Sequence, residues 1–377
     1  MIKVAHVIQS YLTQSETFIW QYLRVFKEVF PVVVAVSKQN LEQFPLPNGK
    51  ILLRQGPRFS VPWAWDNYYR RICKKPDGYI KKILIENNVK IIHAHFGPSG
   101  CELLPVALEL NLPIITTFYG YDLSVFDILE KYSEDYKRLF EYGSAFLVEG
   151  PSMKRKLLNI GCPQKKIHIQ RIAIDINNYS QKEYSTSNNN EIKLLFVGRF
   201  IEKKGIEYAL RALAGVKRNT ALKFQFKIAG YGELEEKLKK DALGQQIENN
   251  IVWLGRLTHS EVLQELKLCD IFVHPSVTAL NGDSEGGAPT IILEAQASGV
   301  PVISTEHADI PYVAENNVAA LLSPERDVKS LSENLYFLMK NKRKCVEMGK
   351  CGRKNMIKNH DARQEVKTLE NLYKLFL

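Results

Sequence analysis

The chain has 377 residues, 45% of them hydrophobic and 24% charged, with a formal net charge of +10. At roughly 100–200 residues per domain this length predicts two domains, each large enough to fold without staples. No apolar run nears the roughly 18 residues of a membrane span, and six scattered cysteines without C-x-x-C spacing exclude a disulfide frame and a zinc site.

Met1 to Tyr11 is a short apolar run broken by His6 and Gln9, with no small-residue cleavage site after it. It reads as a first strand, not a signal peptide. Strands are expected at Ile2–Ile8, Pro31–Val36, Lys90–Ala94, Pro113–Thr117, Ala145–Val148 and Lys166–Ile169. Helical periodicity lies between them at Glu16–Glu28, Ile80–Asn88 and Gly100–Leu110. Buried runs alternating with helices predict a parallel sheet covered on both faces.

Residues 54–82 carry eight cations against Asp66 and Asp77, interleaved with Trp63, Trp65, Tyr68 and Tyr69. Such a stretch suits an anionic membrane surface or a lipid-linked anionic acceptor, and equally a helix with aromatics packed inward. The overall positive charge also favours an anionic partner, but no nucleic-acid-binding signature accompanies it.

Asn177–Asn190 is polar and reads as a linker, dividing the chain into 1–176, the linker 177–190, 191–358, and a last helix over 359–377. After the linker the α/β pattern restarts. Strands are expected at Ile192–Val197, Phe224–Ala229, Ile251–Leu254, Ile271–His274 and Val300–Ser304. Helices are expected at Gly205–Gly215, Glu233–Leu243, Ser260–Leu268 and Thr290–Ser298, and an amphipathic one at Asp361–Leu377. In such sheets ligands bind beyond the carboxyl ends of the strands.

Two stretches carry chemistry. In DSEGGAPTIILEA, Glu285 precedes Gly286, Gly287, Ala288 and Pro289, and Thr290 opens a helix bearing Glu294. Glycines admit close backbone approach, and free N–H groups at a helix start favour a phosphate. Glu294 lies one turn from Thr290, placed to accept two hydroxyls, as from a ribose. In VGRFIEKKG, Gly198, Arg199 and Lys204 follow a strand, and the two cations suit a diphosphate. Asp283-Ser284-Glu285 and His93-x-His95 are the only metal-like patterns; the first adjoins a glycine loop and the second reads as local hydrogen bonding, so no metal and no cofactor are expected.

These motifs resemble the retaining glycosyltransferases of family 4. The resemblance extends through SETFI at Ser15–Ile19, HAHFG at His93–Gly97, FYGYD at Phe118–Asp122 and the Gly161–Asp175 stretch, and is nearest to enzymes of exopolysaccharide, capsule and colanic-acid assembly. It implies a GT-B fold: two Rossmann-like α/β domains facing across a cleft, the C-terminal helix crossing back to the N-terminal domain. It implies transfer of a hexose from a nucleotide sugar, UDP first and GDP next, to a saccharide acceptor that is lipid-diphosphate-linked, without a metal. Arg199, Lys204 and Glu285 would be catalytic. Gly198, Arg256, Leu257, Gly286, Gly287, Ala288, Pro289, Thr290 and Glu294 would hold the donor, and His95, Tyr119 and Asp122 would lie near the sugar and acceptor. The implied location is cytoplasmic, peripheral on the inner face of the membrane. The alternatives are a non-catalytic sugar-nucleotide-binding subunit or an epimerase on the same fold. Two departures stand out: eight residues rather than seven separate Glu285 from Glu294, and Tyr119 occupies a place where many members carry His.

Overall fold

The computed structural model describes residues 1–11, 17–38, 42, 44–54, 60–61, 63–64, 68, 78–183 and 191–377. Ser15 and Glu16 of the SETFI run, most of the basic aromatic segment and the end of the polar linker lie outside them. The chain divides into two compact units, Met1–Ile174 with Ala362–Leu377, and Asp175–Asp361.

The first unit is built on a parallel sheet. Its strands are β1 (Ile2–Tyr11), β2 (Val29–Lys38), β3 (Lys50–Leu53), β4 (Ile91–His95), β5 (Ile114–Thr117), β6 (Ala145–Val148) and β7 (Ile167–Ile169), in the order β3-β2-β1-β4-β5-β6-β7. The twofold period of a strand sends Val32 and Val34 into one core with Ile92, Leu103 and Phe146. Val33 and Ala35 enter the core on the other side with Ile91, Ile115 and Leu147. A strand buried on both faces needs unbroken hydrophobicity, and β4, β5 and β6 are buried along their whole length.

The last helix, Ala362–Lys374, belongs to this unit and buries Val366, Leu369 and Tyr373 against Val4, Ile8, Ile19 and Leu23. Of the helix expected at Glu16–Glu28, the described part is Thr17–Leu23. Glu370 accepts the backbone N–H groups of Lys27 and Glu28, each at 2.7 Å, and so fixes the turn into β2.

The second unit has strands β8 (Glu191–Val197), β9 (Lys223–Ala229), β10 (Ile251–Gly255), β11 (Ile271–His274), β12 (Val302–Thr305) and β13 (Ala320–Ser323), in the order β10-β9-β8-β11-β12-β13. Its core joins Leu194, Phe196, Phe226 and Val273 to Leu210 and Leu213 of the helix Ile206–Asn219 and to Leu331 and Leu335 of the helix Val328–Lys340. The polar stretch after Asn177 starts as packed structure: Tyr179 is buried, its carbonyl accepts from Arg353, and the Lys182 N–H donates to Ser298 O. No helix among the described residues is long and apolar enough to cross a membrane.

Glu365, on the last helix, is buried beside Gln170, whose Nε2 donates to it at 3.0 Å. Burial pushes its carboxyl up to about 7, against the opposing pull of Arg171. A folded-state value above the unfolded one means the stabilising contribution is present below about pH 4 and is lost as pH rises through about 7. Glu365→Gln is therefore expected to become more stable relative to the wild type as pH is raised from about 4 to 8, measured by urea unfolding; a pH-independent difference would contradict this.

Candidate active site

In both sheets the strand order reverses, at β1/β4 in the first unit and at β8/β11 in the second. Such a switch point opens a crevice beyond the carboxyl ends of the strands. Both chemistry-bearing stretches of the second unit leave from its switch point: Gly198–Lys204 follows β8, and the segment from Pro275 to Glu285 follows β11.

Three strand ends continue side by side past the regular ladder. Gly198 N donates to Ala229 O, Gly230 N to Gly255 O, and Phe200 N to Tyr231 O. The approach is too close for a side chain at Gly230, where a Cβ would lie 1.8 Å from Gly198 O at a φ of +142°. The expected site did not include this turn, although a Gly-x-Gly directly after a strand was its signal. Arg256, just past β10, lies with its guanidinium 5.3 Å from the Tyr231 ring centroid, and Leu257 follows it.

The centre of the site is an ion pair. Lys204 Nζ lies 2.8 Å from Glu285 Oε1 and 2.9 Å from Oε2, and both side chains are nearly buried. Lys203 does the same for the preceding acid, reaching Asp283 Oδ1 at 3.0 Å and Ser284 O at 3.1 Å. The acidic triplet is thus already neutralised by lysines. Burial alone would raise the Glu285 carboxyl, but Lys204, Lys203 and His274 hold it down to about 2. Burial draws the Lys204 ammonium below the usual lysine range, opposed by Glu285 and assisted by Lys203 and Arg199. Arg199 itself is exposed.

Ser276 and His274 complete the pair, and sequence reasoning missed both. Ser276 Oγ donates to Glu285 Oε1 at 3.0 Å. Its proton being spent there, it must accept from His274 Nδ1, also at 3.0 Å. His274 is therefore the Nδ1–H tautomer. Its buried ring, stacked on Phe196, is held near a pKa of about 3 by burial and then by Lys204.

Gly286 turns the chain at φ +73°, and the helix Thr290–Ala297 begins directly after Pro289. The N–H groups of Gly287, Ala288 and Thr290 have no acceptor among the described residues. Unpaired donors at a helix start are an anion-binding feature. Glu294 lies in the same helix, 3.6 Å from His259 Nε2, and its carboxylate raises the His259 pKa.

In the first unit Asp122 is fully buried and accepts from Gly97 N at 2.9 Å, Gly120 N at 2.9 Å and Tyr119 N at 3.1 Å. Burial pushes its carboxyl up to about 6 against those bonds. It ties the HAHFG and FYGYD loops together. His95 Nδ1 is 2.6 Å from the Tyr119 hydroxyl and its Nε2 is 3.2 Å from His6 Nδ1. His93 is bonded at both nitrogens, to Tyr373 at 2.5 Å and Thr117 at 2.6 Å.

His6, His93 and His95 offer ring nitrogens within 4.8 Å of one another. A cation needs in-plane lone pairs about 2.0–2.1 Å away. The His93 and His95 rings are stacked 4.5 Å apart at 13°, so their lone pairs do not converge on one point. The cluster is a hydrogen-bond array.

The profile described as "Glycosyltransferase Family 4" matches residues 16–178, and that described as "Glycosyl transferases group 1" matches residues 178–355. The chain belongs to glycosyltransferase family 4. Among curated proteins, this family 4 member is 35% identical over 251 residues to the amylovoran biosynthesis glycosyltransferase AmsK of Erwinia amylovora, covering 66% of the chain and 61% of the relative. It is 33% identical over 245 residues to the putative colanic acid biosynthesis glycosyltransferase WcaL of Escherichia coli, covering 64% and 59%. The chain thus spans about three-fifths of the length of the curated relatives it matches. Among solved structures it superposes on Anabaena HepE in complex with UDP and glucose with a TM-score of 0.79 at 15% identity, covering 99% of this chain and 100% of that one. A glycosyltransferase from Rickettsia africae gives 0.80 at 15% identity, covering 100% and 98%. The fold is GT-B.

Removing Lys204 leaves a buried carboxylate without its cation, a loss of about 3–5 kcal/mol for a buried pair. Lys204→Met is expected to destabilise the second unit by that order, whereas Lys204→Met with Glu285→Gln recovers a large part of it. Additive losses in the double-mutant cycle would show that the pair does not organise the loop.

Proposed function

We propose that this chain transfers a hexose from a nucleoside diphosphate sugar to a saccharide acceptor, with retention of configuration and without a metal. The observation that carries the reading is the arrangement at the β8/β11 switch point: the exposed Arg199 near Lys204, the Lys204–Glu285 pair, and unpaired N–H groups at the start of the helix Thr290–Ala297.

Cleaving the anomeric C–O bond leaves negative charge on a diphosphate. Arg199, Lys204 and the helix terminus supply the opposing field, so the leaving group needs no cation of its own. Glu285 orients the donor sugar, and Glu294, about one turn into the helix Thr290–Ala297, takes the ribose hydroxyls. Arg256 and Leu257 border the nucleobase. His95 and Tyr119 take the acceptor side of the reaction.

UDP is the preferred nucleotide, in line with the UDP found with HepE; GDP follows, as in the GDP-mannose-dependent mannosyltransferase of Corynebacterium glutamicum, 32% identical over 157 residues. The likeness to the amylovoran and colanic acid proteins supports a role in surface polysaccharide assembly. A lipid-diphosphate-linked acceptor at an anionic membrane surface fits the cationic aromatic segment at residues 54–82.

The test is a screen of UDP- and GDP-sugars read by nucleotide release, with product identification on a lipid-linked acceptor. Arg199→Ala is expected to lower kcat about 10²–10³-fold, the usual effect of losing one preorganised donor to a developing anion. Excess chelator is expected to leave turnover unchanged. Wild-type turnover in Arg199→Ala, or conversion of donor without transfer, would refute the reading.

A further inference from the structure

Glu285 is held from two sides. Lys204 and Ser276 hold its carboxylate; its backbone N–H donates to His307 Nε2 at 3.0 Å. His307 lies just beyond β12 and is 1% exposed. Its other nitrogen, Nδ1, is 2.6 Å from Glu325 Oε1, and Glu325 lies just beyond β13.

The two contacts fix the ring's chemistry. A nitrogen that accepts an N–H carries no proton, so the neutral imidazole must carry its proton on Nδ1, aimed at Glu325. Protonating Nε2 would set two N–H groups against each other. Glu325 is anchored in turn. Thr278 N donates to its Oε2 at 2.7 Å and Thr278 Oγ1 to its Oε1 at 3.2 Å. Burial alone would raise the Glu325 carboxyl, but the bonds from His307 and Thr278 hold it down to about 2. The chain Glu285–His307–Glu325–Thr278 therefore joins the loops after β11, β12 and β13. A second bond from the same loop, Asp309 N to Gly287 O at 3.1 Å, holds the far side of the Gly286 turn.

We propose that His307 and Glu325 form a positioning pair that sets the Glu285–Gly287 backbone for the sugar diphosphate without touching it. The inference rests on the function proposed above only for what the loop binds. It has a consequence for the binding residues. The Glu285 N–H is spent on His307, so ligand contacts from this loop begin at Gly287, Ala288 and Thr290, whose N–H groups are unpaired.

Two measurements on the full chain test this. The first needs no substrate. With ¹⁵N-labelled histidine, His307 is expected to show a protonated Nδ1 and a bare Nε2 near neutral pH. The opposite tautomer, or a doubly protonated ring, would overturn the pair.

The second compares His307→Gln, whose side-chain oxygen reaches the place of Nε2, with His307→Leu, which fills the space but accepts nothing. His307→Leu is expected to lower kcat about 10–100-fold, the usual effect of losing the partner that orients a functional group, while the Kd for UDP or GDP shifts less than about threefold. His307→Gln is expected to recover most of the rate. Equal losses in the two variants, or an unchanged kcat in His307→Leu, would overturn the proposal. Should His307→Leu fail to fold, Glu325→Gln serves instead. It is expected to lower kcat several-fold with nucleotide affinity kept, and an unchanged kcat would count against the pair. Absence of turnover with every nucleotide sugar would sink the functional reading, while the tautomer result would still decide the His307–Glu325 arrangement.

Discussion

The Lys204–Glu285 pair is the constraint from which the rest of the second unit's site follows. Burying two ions costs several kcal/mol each, and the attraction between them repays this only when geometry and further hydrogen bonds are good. Both conditions are met: the lysine contacts both carboxylate oxygens, Ser276 donates to one of them, and His307 takes the adjoining N–H. An arrangement this fully bonded cannot relax toward water. It fixes Lys204 at the head of the loop, while Arg199 nearby is exposed. One cation is buried and paired, and the other faces solvent.

The backbone carries the pair. Lys204 ends a short 3-10 turn, Glu202–Lys204, and Gly205 then reverses the chain at φ +64°. A Cβ at Gly205 would stand 1.9 Å from Pro275 O, so only glycine lets the β8 loop press against the β11 loop. The contact continues as Val277 N bonds to Lys203 O. Two loops at a switch point would ordinarily diverge. Here glycine and the paired lysines pull them together, which is what places Lys203 and Lys204 beside Asp283 and Glu285.

Much of this was legible in the sequence because it is local. Alternating apolar runs announce β1, β2, β4, β5 and β6, and EGGAPT announces a glycine turn opening a helix. The edge strands β3 and β13 were not legible. Each is four residues long, and AALLS suits a helix as well as a strand. The turn after the helix Thr17–Leu23 is held by Glu370, more than 340 positions away, which accepts the N–H groups of Lys27 and Glu28. His274, Ser276, His307 and Glu325 are invisible for the same reason. Each is an ordinary residue at the end of a strand, and its role comes from partners on other strands. The three backbone donors to Asp122 were not legible either, since Gly97 reaches it from a different strand end.

The first unit differs from the second in where its charge lies. Its switch point is lined by imidazoles, and burial pushes His6, His93 and His95 all well down, so they are neutral. Tyr119 is pushed up by burial and is neutral as well. At this switch point Tyr119 presents a phenol bonded to His95. Such a group donates or accepts one hydrogen bond but adds no positive field. In the proposed reaction the leaving diphosphate is stabilised within the second unit, by Arg199, Lys204 and the start of the helix Thr290–Ala297. Fixing one of those cations beside the loop that opens this helix is a physical reason for a costly buried ion pair at the head of the Glu285 loop.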